Sequence, residues 1–187
     1  MINTKSLNVL TKQLIKKHSS AKAPIDIFGI IEDIGINLKF EEMEDEMSGF
    51  INISNDRSII VINDKHHMNR KRFSAAHELG HYCLHKDVQD TFIDKSFITG
   101  LSVKKGSTRG KTFHRNSLSS TGEHLHEIEA NRFAATILMP EDLIEDTILE
   151  LNIDLTLERD LERLAIKFGV SVQAMAFRLA SLGVSYF

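Results

Sequence analysis

One cysteine, Cys83, stands among 187 residues. An intramolecular disulfide framework is therefore excluded, which agrees with a reducing compartment. No run of the chain approaches the roughly 18 to 20 consecutive apolar residues of a membrane span. The opening segment MINTKSLNVLTKQLIKKHSSAKAP mixes polar and apolar residues with a helical period. It lacks the continuous apolar stretch of a secretory signal, so the expected location is the cytoplasm. Proline occurs twice, as Pro24 and Pro140, and no internal repeat is visible. The formal charge of -3 gives no blanket attraction to nucleic acid. With 42% hydrophobic and 26% charged residues the composition is that of a soluble globular chain, not of a disordered or fibrous one. This length suits one domain, or one with a small appendage.

Leu7, Leu10, Leu14 and Ile15 are spaced for one helical face. A second helix is expected after Pro24 through IDIFGIIEDIG, with Gly35 at its end. INLKFEEM reads as a strand, and GFINISN with SIIVIND, joined by a turn at Asn55, Asp56 and Arg57, reads as a hairpin. SIIVIND offers an edge to which an extended substrate could add. The basic run NRKR at 69–72 reads as a solvated helix entry or a functional patch. From 87 to 126 the chain turns polar; such a length points to a short hairpin, a mobile loop, or both. Within it Lys95, Lys104, Lys105, Arg109, Lys111 and Arg115 occur without an acidic residue from 95 to 122. That patch is either a solvated insertion or a surface that steers an acidic substrate segment. After Glu127 the pattern is helical to the end.

The chemistry concentrates in FSAAHELGHYCLH, residues 73–85. On a helix, four residues advance about 400° and roughly 6 Å, so His77 and His81 project from one face at a separation one metal ion can bridge. Glu78 lies about 100° around, within reach of a water on that metal. Two neutral imidazoles suit Zn2+, and HExxH leaves a position open for water. Alone, the motif also fits an amphipathic helix that happens to carry imidazoles. Ala75, Ala76 and Gly80 allow another element to approach closely. Phe73, Ala76, Leu79 and Cys83 form an apolar side, which makes Cys83 an inert buried thiol.

A third ligand is needed. His85 cannot serve, because about 12 Å of helix axis separates it from His77; it reads as a helix-end residue near the C-terminal dipole. Glu127 opens a strongly periodic helix, EIEANRFAATILM, and Asn131 one turn on can hydrogen-bond a ligand histidine. Glu129 points about 200° away from Glu127. Glu127 is favoured, with His126 and His114 as alternatives. Phe133, Ala134, Ile137 and Leu138 are core positions by spacing, and Met139 is helix-end packing. Tyr82, Arg109, His114 and Tyr186 remain open as oxyanion stabilisers.

FSAAHELGHYCLH and EIEANRFAATILMP taken together resemble the ImmA/IrrE metallo-endopeptidases. The resemblance extends to IIVIND and to LAIKFGVSVQAMAFRLASLGV and covers about residues 25–187. It implies His77, His81 and Glu127 as zinc ligands and Glu78 as the catalytic glutamate that activates water. Asn131 stands where related gluzincin-like proteases often carry an aspartate that orients a histidine. The implied substrate is a helix-turn-helix repressor of a mobile element or stress regulon, cut at one site to release transcription.

The C-terminal stretch also looks like a helix-turn-helix, with a turn at Gly169 and a second helix from Ser171. That second helix offers Arg178 as its one cation, and residues 141–187 hold four cations against nine acidic residues, a formal -5. This charge opposes phosphate binding, so direct DNA binding is not expected. The expected architecture is α+β. A zincin-like metallopeptidase domain of small mixed sheet and HExxH helix spans 1–140, including the long basic loop 87–126, and a helical subdomain at 141–187 packs on it. The competing reading is a non-catalytic module that holds zinc for structure and sequesters its repressor.

Overall fold

Ile59, Ile60, Val61 and Ile62 follow one another without a polar break, the pattern of a strand covered on both faces. In the computed structural model, which describes residues 2–18, 21–54, 57–86, 91–95 and 119–184, they form β3 (Ile59–Asn63), an inner strand of the sheet. β1 (Asn37–Glu41) pairs with it in parallel, Leu38 opposite Ile60, and β2 (Met47–Asn52) pairs antiparallel, Ile51 opposite Ile60. β4 (Thr91–Lys95) lies antiparallel against the far side of β2, which gives the order β1-β3-β2-β4. The sheet is small and mixed and the fold is α+β, as expected. One expectation fails. SIIVIND is not an edge, because its ladder groups are taken by β1 on one side and β2 on the other; among the described residues the edges are β1 and β4.

The first helix, α1 (Thr4–His18), buries Leu7, Thr11 and Ile15. α2 (Ile27–Asp33) begins after Asp26, whose Oδ1 accepts from the Gly29 amide at 3.0 Å, so Asp26 and not Pro24 sets the helix start. Gly35 follows at φ +87°, which favours glycine.

NRKR, at the entry to α3 (Met68–His85), is solvated only in part: Arg70 is exposed, Asn69 and Lys71 are half-buried, and Arg72 is buried. Arg72 is buried, and its Nε and Nη2 donate to the carbonyls of Gly169 at 3.1 Å and Ile25 at 2.8 Å. Asn69 Nδ2 donates to Val170 O at 3.0 Å, Arg70 Nη2 to Ser48 Oγ at 3.1 Å, and Lys71 Nζ to Asp64 Oδ1 at 2.8 Å. The run therefore pins α3 to the C-terminal helices and to the sheet. Gly169 sits at φ +62° at the end of α6 (Glu158–Phe168), and a Cβ there would stand 3.0 Å from Arg72 Nε. A cation at the last carbonyls of a helix also complements its dipole.

α4 (Ser119–Leu138) starts eight residues before Glu127, and β4 occupies 91–95. The long loop expected at 87–126 thus gives way to strand at one end and helix at the other. Lys104, Lys105, Arg109, Lys111, His114, Arg115 and Tyr186 lie outside the described residues. α4 buries Phe133, Ala134, Ile137 and Leu138 completely, with Met139 behind them. A Phe or Leu so buried contributes roughly 1.5–3 kcal/mol.

After Pro140 come α5 (Glu141–Leu151), α6 and α7 (Val172–Ser181). Ser171 caps α7, its Oγ accepting from the Ala174 amide at 3.1 Å, and Arg178 Nε donates to Met139 O at 3.0 Å, tying α7 to the end of α4. Among the described residues no helix is long and apolar enough to cross a membrane.

Candidate metal centre

α3 and α4 meet where neither presents bulk, at Gly80 and Ala130. A Cβ on Gly80 would stand 3.1 Å from Ala130 Cα, 3.2 Å from Ala130 O and 3.2 Å from Phe133 Cβ. This approach brings Glu127, one turn before Ala130, against the two histidines of α3. His77 Nε2 is 3.2 Å from Glu127 Oε2, His81 Nε2 is 3.3 Å from Glu127 Oε1, and the two Nε2 atoms are 3.0 Å apart. His77, His81 and Glu78 are 2%, 1% and 0% exposed, so water does not screen the cluster from the protein side.

Burial holds the His81 imidazole down at about 4, against the opposing pull of Glu127. Burial pushes the Glu127 carboxyl up, but its contacts with His77 and His81 outweigh that and hold it at about 2. Near neutral pH the centre therefore presents a carboxylate and an uncharged His81. His77 Nδ1 lies 3.0 Å from Asn131 Oδ1. An amide oxygen only accepts, so Nδ1 carries the proton and Nε2 turns its lone pair inward, toward Glu127 and His81.

Such a convergence of electron pairs calls for a cation. A tetrahedral ion with bonds of about 2.0–2.1 Å to N and O separates its ligands by about 3.3 Å. The observed edges of 3.0, 3.2 and 3.3 Å fit that size. Two imidazoles and one carboxylate favour Zn2+ or a related transition ion over Mg2+ or Ca2+, which prefer all-oxygen shells. Among the described residues, His77, His81 and Glu127 are the group of three that could hold a metal ion.

The other candidates fall elsewhere. His126 does not join the triangle; its ring stacks on His85, centroids 4.2 Å apart. His124 is exposed. Tyr82 is half-buried on α3, with Lys86 Nζ 5.7 Å from its ring centroid. Cys83 is half-buried, not fully buried as expected, and desolvation still pushes its thiol up to about 12. His85 is not a simple helix-end residue. It is buried, its Nδ1 lies 3.3 Å from His81 Nδ1, and its Nε2 lies 3.0 Å from Glu129 Oε2. The sequence carried a signal for this contact, because His85 follows His81 by the same four residues that separate His77 from His81.

A cavity of about 900 Å³ opens between α1, α3, α4 and α7, lined by Phe73, Asn131, Ala135, Ala174 and Phe177 among others. It meets the metal centre through Asn131 and is lined by none of the three converging residues.

Residues 31–100 and 101–180 match the family model of the IrrE N-terminal-like domain, Peptidase_M78. A phage protein, the uncharacterized immunity region protein 2 of Bacillus phage phi105, is 26% identical over 135 residues, covering 72% of this chain and 69% of that protein. A solved structure described as a Mycobacterium tuberculosis transcriptional regulator is similar in fold, with a TM-score of 0.60 at 15% identity. That match covers 94% of this chain and 46% of the other, so this chain spans less than half the length of that neighbour.

Proposed function

The chain belongs to the IrrE N-terminal-like family of peptidases, and from that premise we propose that it is a zinc-dependent endopeptidase acting on a helix-turn-helix repressor. The observation that carries the reading is the meeting of His77 Nε2, His81 Nε2 and the Glu127 carboxylate within 3.3 Å of one another. In this reading those three residues hold the metal. Bound zinc supplies a Lewis acid that polarises a peptide carbonyl and acidifies water toward a pKa of about 7.

The chain's own residues do the rest. Glu78, next to His77 and turned about 100° from it around the helix, takes the proton of the attacking water and returns it to the leaving amine. Its burial keeps bulk water from competing for that proton. Asn131 fixes the ring of His77 through Nδ1. The repressor as substrate rests on the family and on the phage relative, which is named as an immunity region protein.

Co-expression with a helix-turn-helix repressor from the same genome, followed by mass analysis, tests the proposal. We expect two fragments from one cut, absent with Glu78→Gln. An intact repressor in a stable complex, released from its operator even when His77 and Glu78 are replaced, would overturn proteolysis in favour of sequestration.

A further inference from the structure

The two histidines that face the metal position are supported differently. His77 leans on a neutral amide, Asn131 Oδ1, at 3.0 Å. His81 leans on a second imidazole, since its Nδ1 faces His85 Nδ1 at 3.3 Å, while His85 Nε2 faces Glu129 Oε2 at 3.0 Å. We infer that His85 and Glu129 form a positioning pair that fixes the tautomer of His81 and carries carboxylate charge to it through one intervening ring. This rests on the reading of His81 as a metal ligand and concerns what makes it one.

The hydrogen positions follow in sequence from the carboxylate. An ionised Glu129 only accepts, so His85 Nε2 carries a proton. In a neutral ring Nδ1 is then bare and accepts from His81 Nδ1. His81 Nε2 is left with its lone pair toward His77 and Glu127, the state a metal requires. Were His85 in the other tautomer, with the proton on Nδ1, the donors and acceptors would reverse and His81 Nε2 would hold a proton where the metal belongs.

The pair is itself held in place. His85 is 3% exposed, and the His126 ring lies over it at 4.2 Å with 31° between the planes. Glu129 Oε1 accepts from the backbone amide of Ile2 at 2.6 Å. Arg132, one turn along α4, donates to Ile2 O at 3.3 Å and to Thr4 Oγ1 at 3.0 Å. The start of α1 thus straps the outer end of the relay, and Glu129 faces His85 with its other oxygen already engaged.

The geometry of α4 explains why Glu127 and Glu129 serve different rings. Viewed down the helix, Ala130 lies between them, about 60° from Glu127 and about 100° from Glu129. Ala130 is the point of contact with Gly80, and from it Glu127 reaches His77 and His81 while Glu129 reaches His85, one turn further along the same face of α3.

The test uses the full chain, with Zn2+ affinity read by competition against a chromophoric chelator. Nitrogen-15 spectra of the metal-free protein read the His81 tautomer. Glu129→Gln and His85→Leu should each weaken Zn2+ binding about 10- to 100-fold. His81 should pass from one Nδ1–H tautomer to a mixture. His85→Gln, whose side-chain oxygen can still accept from His81 Nδ1, should recover much of the affinity and a merely space-filling role would not produce that rescue. Should His85→Leu fail to fold, Glu129→Gln decides alone. Wild-type affinity with an unchanged His81 tautomer in Glu129→Gln overturns the inference. His77→Ala serves as the separate control: loss of zinc there leaves the metal reading standing whatever the pair does, whereas unchanged zinc there overturns that reading itself.

Discussion

Gly80 faces the backbone of Ala130 at a distance that would crowd a methyl group: an added Cβ would be 3.1 Å from Ala130 Cα and 3.2 Å from its carbonyl oxygen. Gly80→Ala should gain up to about 1 kcal/mol in helix propensity. Overpacking a buried contact costs about 1–3 kcal/mol. Because the obstructing atoms are backbone, the second effect should win. We expect a net loss of about 1–2 kcal/mol in the urea unfolding of the metal-free protein. Zinc affinity should fall as well, since α4 carries Glu127 away as it retreats. A variant as stable and as tightly zinc-binding as wild type would show that the helices can slide apart at no cost.

Removal of metal should be visible in thermal unfolding. Zinc at one hundred times its dissociation constant stabilises by about 2.7 kcal/mol, which for a chain of this size corresponds to roughly 5–10 °C in Tm. A chelator should abolish that shift, and His77→Ala should not show it. Elemental analysis should find one zinc per chain in wild type. Equal zinc in the His77→Ala, His81→Ala double variant would remove the basis for the metal centre.

Glu78 and Glu127 should separate by experiment. Glu78→Gln should keep zinc and fold while lowering cleavage about 10²- to 10⁴-fold, the contribution of a general base. Glu127→Gln should lower zinc affinity first and activity in consequence. Equal metal loss in the two variants would mean that the roles of base and ligand have been assigned wrongly.

Acid should destabilise the metal-free protein earlier than its carboxylates alone predict. His81 takes up a proton at about 6.5 when unfolded but at about 4 in the fold. The unfolded chain therefore binds more protons between those values, and stability falls as pH drops through that window. The loss from pH 7 to 5 should be on the order of 2 kcal/mol. Glu127, lowered from 4.5 to about 2, adds a further loss that begins only below 4.5. Urea titrations of wild type and His81→Gln from pH 7.5 to 4.5 compare the slopes; parallel curves above pH 5 would exclude His81 as the cause.

Much of the metal centre was legible because its signals are local. His77, Glu78 and His81 are fixed relative to one another by one helical turn, and no tertiary knowledge is needed to place them together. Gly80 in the same motif announced a close approach. Glu127 required more, since a residue on a second helix is placed by packing; its place in EIEAN supplied the clue, and the structure brings it to the histidines. The hairpin of β2 and β3 could be read from β-branched density and a short turn. Strand order could not, because β1 enters beside β3 through a parallel pairing that no local pattern encodes. Arg72 misled for a related reason. A cation in a basic run reads as solvated until the carbonyls of Ile25, Phe168 and Gly169, remote in sequence, are seen around it. The same holds for Glu129, judged by its direction away from Glu127 when its partner, His85, lay one turn further along α3.

The contact between Ile2 and Glu129 joins positions 127 residues apart. During synthesis at about 5–20 residues per second, roughly 6 to 25 seconds separate the two in emerging from the ribosome. His77 and His81 are already exposed to the cell by then, with neither Glu127 nor the relay behind His81 available to them. The cluster of His77, His81 and Glu127, with Glu129 held by Ile2, can thus assemble only when α4 has been made. Until that moment a nascent chain presents an unbuttressed pair of imidazoles, and the three-residue cluster is deferred until synthesis is well advanced.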